Sequence, residues 1–371
     1  MQISFSNNKA DFFFTLRKRV DAYFLDNNIS KNANSSMIIK SIIILIVFFG
    51  VYSLLIFGGL NGWISLALCA MLGFMCAMIG FNISHDAGHG SYSNNSNVNR
   101  ILSYTFDMLG TSSFMWSVMH NIGHHTYTNI PEHDEDLEPI FFLRLNPKHK
   151  VYWIHRFQHF YATFFYAIAS LNWVLLKDFR KINDPDIISK TNPKKRRTEL
   201  KIMIVAKLVY YTTFIVVPIL FTSFSWKEVL AGFLLSHAIE GITLGYVFQL
   251  AHVVEDLDFP VPDENGCVEN SWAIHQLNTT SNFSRNSAIA TFCLGGLNFQ
   301  IEHHLFPKVC HIHYPELSKI VEATAKEFGI PYHAKKTMWQ ALMSHFSLLK
   351  KIGHGEIKVT SPAHSLIAVS S

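Results

Sequence analysis

Three short stretches of this chain gather imidazoles at spacings that suit metal binding. The first is His85-Asp86-Ala87-Gly88-His89, where a continued helix puts His85 and His89 on one face, one turn apart. The second is His120-Asn121-Ile122-Gly123-His124-His125, a one-turn pair followed by an adjacent histidine rotated about 100° around the axis. Adjacent rings of that kind can serve two metals. The third, Gln300-Ile301-Glu302-His303-His304, repeats the adjacent pair shortly before Pro307. A zinc site is satisfied by four protein ligands, or by three and a water. The imidazoles of these stretches overfill one such site, so two metals are expected. Imidazole suits iron, copper, nickel and zinc alike, and two irons is the economical reading. A lone histidine at a membrane interface is more often a hydrogen-bonded surface group than a ligand; the repetition favours metal. The acidic run Glu132-His133-Asp134-Glu135-Asp136 reads as a solvated loop or a docking surface for a basic partner, and stays outside the ligand set.

The elements that must position these rings are legible from hydropathy. Residues from Ile42 to Leu60 form an apolar run broken by Ser53, about 30 Å long as a helix and enough to span a bilayer. Asn61 and Gly62 make a turn, and Trp63 to Ile83 forms a second apolar segment, giving a hairpin. Two more segments, Met203 to Phe224 with a kink at Pro218 and Val229 to Ala251, make a second hairpin. No secretory cleavage pattern precedes the first run, which is read as a retained span. The fold class expected is an all-α membrane protein: four transmembrane helices in two hairpins with a helical cap. The divisions are an N-terminal segment 1–40, hairpin 41–83, an interfacial segment 84–202 with the first two clusters, hairpin 203–251, segment 252–355 with the third cluster, and a frayed tail 356–371. Both hairpins start and end on one side. That side holds Lys40, Arg180, Lys181 and the run Lys194-Lys195-Arg196-Arg197, so the positive-inside rule makes it the cytoplasm. All three histidine clusters fall on that face, which makes a single site geometrically possible. An amphipathic helix is expected from Pro315 to Phe328, with Leu317, Ile320, Val321 and Phe328 on one face.

Composition agrees with this placement. Of the 371 residues 49% are hydrophobic and only 16% charged, with a mean hydropathy of +0.18. A net charge of +4 spread over small basic clusters offers no long basic face for nucleic acid. Five cysteines without a C-x-x-C pair suggest reduced thiols and neither a zinc ribbon nor a disulfide framework.

With these motifs in hand, the chain resembles the membrane fatty acid desaturase superfamily, whose three histidine boxes follow HxxxH, HxxxHH and QxxHH. The glutamine opening the third box and the segment Trp272-Ala273-Ile274-His275-Gln276-Leu277 with Thr279, Thr280 and Asn282 are similar to the branch that includes front-end desaturases. The resemblance implies iron ligands at His85, His89, His120, His124, His125, His303 and His304, and a further histidine near the end of the fourth span, matched by His252. It leaves Gln300 and His275 as weaker or neighbouring candidates, with Asp86 and Glu302 as partners of the ligands and His311 and His313 further out. It implies two iron ions, O2 as co-substrate and a fatty acyl substrate, either acyl-CoA or membrane lipid. Reduced iron and O2 would take two hydrogens from neighbouring carbons, leaving a cis double bond and water. Many front-end members carry a fused cytochrome b5 with an HPGG motif, which this chain lacks. Electrons are therefore expected from a separate ferredoxin or cytochrome b5 with its reductase, and a bacterial plasma membrane is favoured over the endoplasmic reticulum. The rival readings are a lipid or hydrocarbon hydroxylase of the same superfamily, a divalent-metal transporter, for which ionisable groups mid-span are expected, and a zinc hydrolase, for which the H-E-x-x-H helix is missing.

Overall fold

The computed structural model of the protein describes residues 3–134 and 141–357; Glu135, Asp136 and nearly all of the C-terminal tail lie outside them. The described chain is overwhelmingly helical, and four helices are long and apolar enough to cross a membrane. An amphipathic helix α1 (Asp11–Asp26) leads into the first span, α2 (Ser35–Phe57), whose first turn is capped by the Asn34 side chain accepting from the Met37 amide at 3.0 Å. The Asn61 side chain does the same for Ile64 at the start of the second span, α3 (Gly62–His89). Next come α4 (Ser96–Met108) and α5 (residues 113–127), then α6 (Trp153–Ala167) and α7 (Ala169–Lys181), which are bent by 53° at Ile168. The second hairpin is α8 (Pro193–Phe221) and α9 (Trp226–His252), the latter opened by a reciprocal Ser225–Glu228 cap.

The spans run further than hydropathy alone suggests. Helix α2 begins at Ser35, and α3 continues beyond Ile83 to His89, because its last residues pack into the cap and need not be apolar. At 28 residues α3 is roughly 40 Å long, so its final turns stand clear of the hydrocarbon and deliver His85 and His89. Helices α3 and α9 pack closely through small residues. A Cβ on Gly73 would lie 2.0 Å from the Ser236 carbonyl oxygen. Similarly, a Cβ on Gly241 would lie 2.4 Å from the Tyr166 carbonyl oxygen, so glycine lets α9 rest on α6. Lys207, buried in α8, donates to the carbonyls of Gly110 and Val174 and pairs with Asp178 at 3.0 Å, tying the second hairpin to the interfacial helices.

Four further helices form most of the cap: α10 (Trp272–Thr279), α11 (Gln300–Leu305), α12 (Tyr314–Glu327) and α13 (Met338–His354). Two very short parallel pairings stitch distant segments, β1 (Ser4–Phe5) with β2 (Cys267–Val268), and β3 (Asn282–Phe283) with β4 (Ala334–Lys335). The polar N-terminal stretch of the sequence is an amphipathic helix whose buried Phe12, Leu16, Val20 and Phe24 share a core with Leu317 and Val321 of α12. That core also encloses Ile301 and Leu305, which fixes the short helix carrying the third histidine cluster. All five cysteines are free thiols.

Candidate metal centre

The first two histidine clusters sit where a regular helix gives way. In α3 the residues Gly80–Ser84 form a π turn directly before His85, and in α5 the whole segment Val118–His124 is π-helical. The second case changes the pairing expected from α geometry. A π-helix brings i and i+5 together, and the Nε2 atoms of His120 and His125 lie 3.2 Å apart. His124 turns instead toward the end of α9 and the third cluster. Single π turns leave no mark in a 3.6-residue pattern, which is why the spacing suggests an α-helical pair there.

The result is one imidazole cluster drawn from four separate elements. Ligand nitrogens of His85, His89, His120 and His303 lie within 4.8 Å of one another, as do those of His124, His252 and His304. His125 forms a third set with His303 and His304 that joins the two. Except for the partly exposed His89, these residues expose at most 6% of their surface. The Nε2 atoms of His85, His89, His303 and His304 are buried with no hydrogen-bond partner among the described residues. Buried polar atoms without partners are costly, and here they point at common centres, so the residues fit metal ions as the missing partners. Burial, and then the neighbouring imidazoles, hold His125, His303 and His304 well below the usual 6.5. They therefore stay neutral, as a metal ligand must be.

Four of the opposite nitrogens are held from outside the cluster. Nδ1 of His124 donates to Asp134 at 2.9 Å, and the other Asp134 oxygen accepts from the Asn129 amide at 2.8 Å. Nδ1 of His304 reaches the Gln276 side-chain oxygen at 2.8 Å, Nδ1 of His252 the Thr279 carbonyl at 3.2 Å, and Nδ1 of His303 the Tyr314 hydroxyl at 3.2 Å. A hydrogen on Nδ1 fixes the tautomer that leaves Nε2 free to bind. Asp134 belongs to the acidic run read from sequence as a solvated loop; it is 4% exposed and faces inward. No spacing signal marks it, since its partner lies ten residues away across an irregular turn.

The neighbouring candidates separate. Asp86 has one oxygen 3.9 Å from His85 Nδ1, while the other accepts from His311 Nδ1 at 2.9 Å and from Cys310. His311 in turn faces Lys40 Nζ at 3.1 Å. Glu302 turns away from the imidazoles, accepting from Asn282 and Tyr332 at 2.7 and 2.8 Å, and burial raises its carboxyl to about 7. His275 is buried against Phe5 and stands outside the ligand sets; burial lowers it to about 3. Its neighbour Gln276 makes the contact to the cluster. Gln300 is buried one turn before His303 on α11, on the same face. His313 is buried and lies 3.3 Å from the Asn32 carbonyl, remote from the ligand nitrogens. Trp116, which the sequence did not single out, stacks on His120 at 4.6 Å and lies 5.5 Å from His85.

Residues 61–336 match the fatty acid desaturase family. The chain belongs to that family. It is 38% identical over 94% of its length to the acyl-lipid (8-3)-desaturase of Physcomitrium patens, covering 73% of that protein. It is 36% identical over 93% of its length to the sn-1 linoleoyl-lipid 6-desaturase of Synechocystis sp., covering 96% of it. Against the acyl-lipid (8-3)-desaturase of Mortierella alpina the identity is 32% over 92% of this chain and 78% of the relative. This desaturase is thus an integral membrane oxidoreductase acting on fatty acyl chains, and the histidine cluster is placed where its spans meet its cap. The family assignment removes the support for the transporter and zinc hydrolase readings.

Proposed function

We propose that His85, His89, His120, His124, His125, His252, His303 and His304 hold two iron ions, on the cytoplasmic face of a bacterial plasma membrane. We further propose that the substrate is an acyl chain esterified in a membrane lipid. The new double bond forms on the carboxyl side of an existing one, and a separate ferredoxin or cytochrome b5 supplies electrons. Gln300 is the remaining candidate for a weak ligand, and His275 serves as a buried neighbour.

The observation that carries this reading is the convergence of eight imidazoles in overlapping sets, among them His303 and His304, whose Nε2 atoms have no hydrogen-bond partner among the described residues while their Nδ1 atoms are tethered from outside. Imidazole donors in that number suit a pair of redox-active ions better than a single structural zinc. The lipid-linked substrate is supported by relatives named as acyl-lipid and linoleoyl-lipid desaturases. Iron with O2 supplies the oxidising power that no side-chain acid or base can bring to an unactivated C–H bond.

The chain's own residues do the placement. Trp116 and Trp173 wall the space beside His85 and His120, so an acyl methylene held there is oriented against the cluster and shielded from water. Asp134, Gln276 and Tyr314 keep three ring planes fixed by holding their Nδ1 hydrogens. Expression in a host of known lipid composition, with the new double bonds located by mass spectrometry, tests the proposal. Dependence on O2 and loss of product in His124→Ala at equal protein level are expected. A hydroxylated product, or a double bond on the methyl side only, would overturn it.

A further inference from the structure

Three cavities join end to end between the histidine cluster and the opposite face of the membrane. The innermost, about 10 Å³, touches His120 and shares Trp116, Trp173 and Phe248 with a second of about 40 Å³ that reaches His85. Cys76 and Glu240 line both this second cavity and a third of about 210 Å³ inside the four-helix bundle. The far rim of the third is Gly62, Thr222, Phe224 and Glu228, residues at the two hairpin turns. Gly62 and Glu228 are solvent-exposed, so the largest cavity reaches the aqueous interface opposite the histidines.

A carboxylate within a membrane span is expensive to keep and marks a functional position. Glu240 is one turn beyond His237, whose Nδ1 lies 3.4 Å from a Glu240 oxygen. The Tyr210 hydroxyl donates to His237 Nε2 at 2.8 Å, which places the ring hydrogen on Nδ1, facing both Ser170 Oγ at 3.0 Å and Glu240. Tyr210 of α8 and Ser170 of α7 thus fix the His237 ring that holds one carboxyl at the junction of two otherwise largely apolar cavities.

We propose that Glu240, positioned by His237, is a polar stop that sets how much acyl chain can extend beyond the histidine cluster. The inference rests on the reading that the acyl chain runs from the cluster into the bundle. A tail ending at the junction leaves the carboxyl facing the cavity that opens to the outer interface. A longer tail must slide past it and strip its solvation, a penalty that a purely apolar wall would not impose. From His85 back to Cys76 the helix advances nine residues, roughly 13 Å. With roughly 1.3 Å per methylene for a chain of ~1.5 Å C–C bonds, that admits about ten methylenes before the stop.

The test supplies cells expressing the wild type, Glu240→Leu or Glu240→Gln with acyl chains that differ only in the number of methylenes on the methyl side. The readout is the ratio of long-tailed to short-tailed desaturated product, which does not depend on expression level. Glu240→Leu should raise that ratio on the order of tenfold, and Glu240→Gln by less, as expected for removing the solvation demand of a partly buried carboxyl. If the Leu variant does not accumulate, a raised ratio in the Gln variant supports the stop and an unmoved ratio overturns it. Ratios within about twofold of wild type in both variants, or equal loss across all tail lengths, also overturn it. A wild type that makes no new double bond from any chain would instead remove the underlying reading, and this inference with it.

Discussion

At the scale of single residues, the centre depends as much on what holds Nδ1 as on which Nε2 atoms converge. Replacing Asp134 by Asn keeps the size but exchanges the acceptor of His124's hydrogen for an amide that can point either way. Loss of such a partner typically costs metal affinity or activity about 10- to 100-fold. Asp134→Asn is therefore expected to lower the iron content of purified protein and its activity within that range, while His124→Ala abolishes product; iron analysis beside lipid analysis checks both. An Asp134→Asn enzyme with wild-type iron and rate would show that the 2.9 Å contact orients nothing. Seven of the eight histidines proposed as ligands stand out in the sequence by box spacing, whereas His252 is marked only by its place at the end of the fourth span. Their supports do not stand out. Asp134, Gln276, Thr279 and Tyr314 reach the rings across turns that no periodicity describes, and Asp134 was hidden in an acidic run whose burial only the fold creates.

At the scale of elements, apolar runs revealed the four spans, because a bilayer dictates length and composition together. They did not reveal where the spans end. Helix α3 carries its two histidines only because it continues past its apolar part, and the π turns at Gly80–Ser84 and Val118–His124 re-aim both clusters. Another such constraint sits at Gly295, in the left-handed region with φ +59°, where a Cβ would lie 2.4 Å from the Phe81 carbonyl oxygen. This contact presses the loop before α11 onto the π turn of α3. Gly295→Ala must strain the backbone and push that contact apart. It is expected to destabilise the protein by about 1–3 kcal/mol and to lower iron content through misplacement of His303 relative to His85. Thermal unfolding in detergent together with metal analysis measures both, and an unshifted midpoint would refute the close contact.

At the scale of the whole molecule, the cap is held to the bundle partly by a histidine outside the ligand sets, His345. His345 on α13 donates from Nδ1 to the Val253 carbonyl at 2.6 Å, just past the end of α9, and its Nε2 accepts from Tyr166 at 2.9 Å on α6. Burial lowers its pKa from the usual 6.5 to about 4. The unfolded chain therefore takes up a proton between those values that the folded chain refuses. The stabilisation is complete above pH 6.5 and is lost as pH falls toward 4, a loss on the order of 3 kcal/mol from this one group. Unfolding midpoints measured across that window should fall steeply in the wild type and less steeply in His345→Asn; equal slopes would contradict the assignment. This cap-to-bundle joint was invisible in the sequence, where His345 is an isolated ring, although the two hairpins and the shared face of the clusters were plain.

Imidazoles from four separate elements are proposed to close around a pair of iron ions at the cap end of the bundle. The most direct measurement is iron content and turnover on one purified preparation, before and after chelation and with and without O2. Iron should be bound in proportion to activity, both should be lost on chelation and in His304→Ala, and no product should form in the absence of O2. Desaturation proceeding at full rate in iron-free protein, or without air, would contradict the two-iron centre.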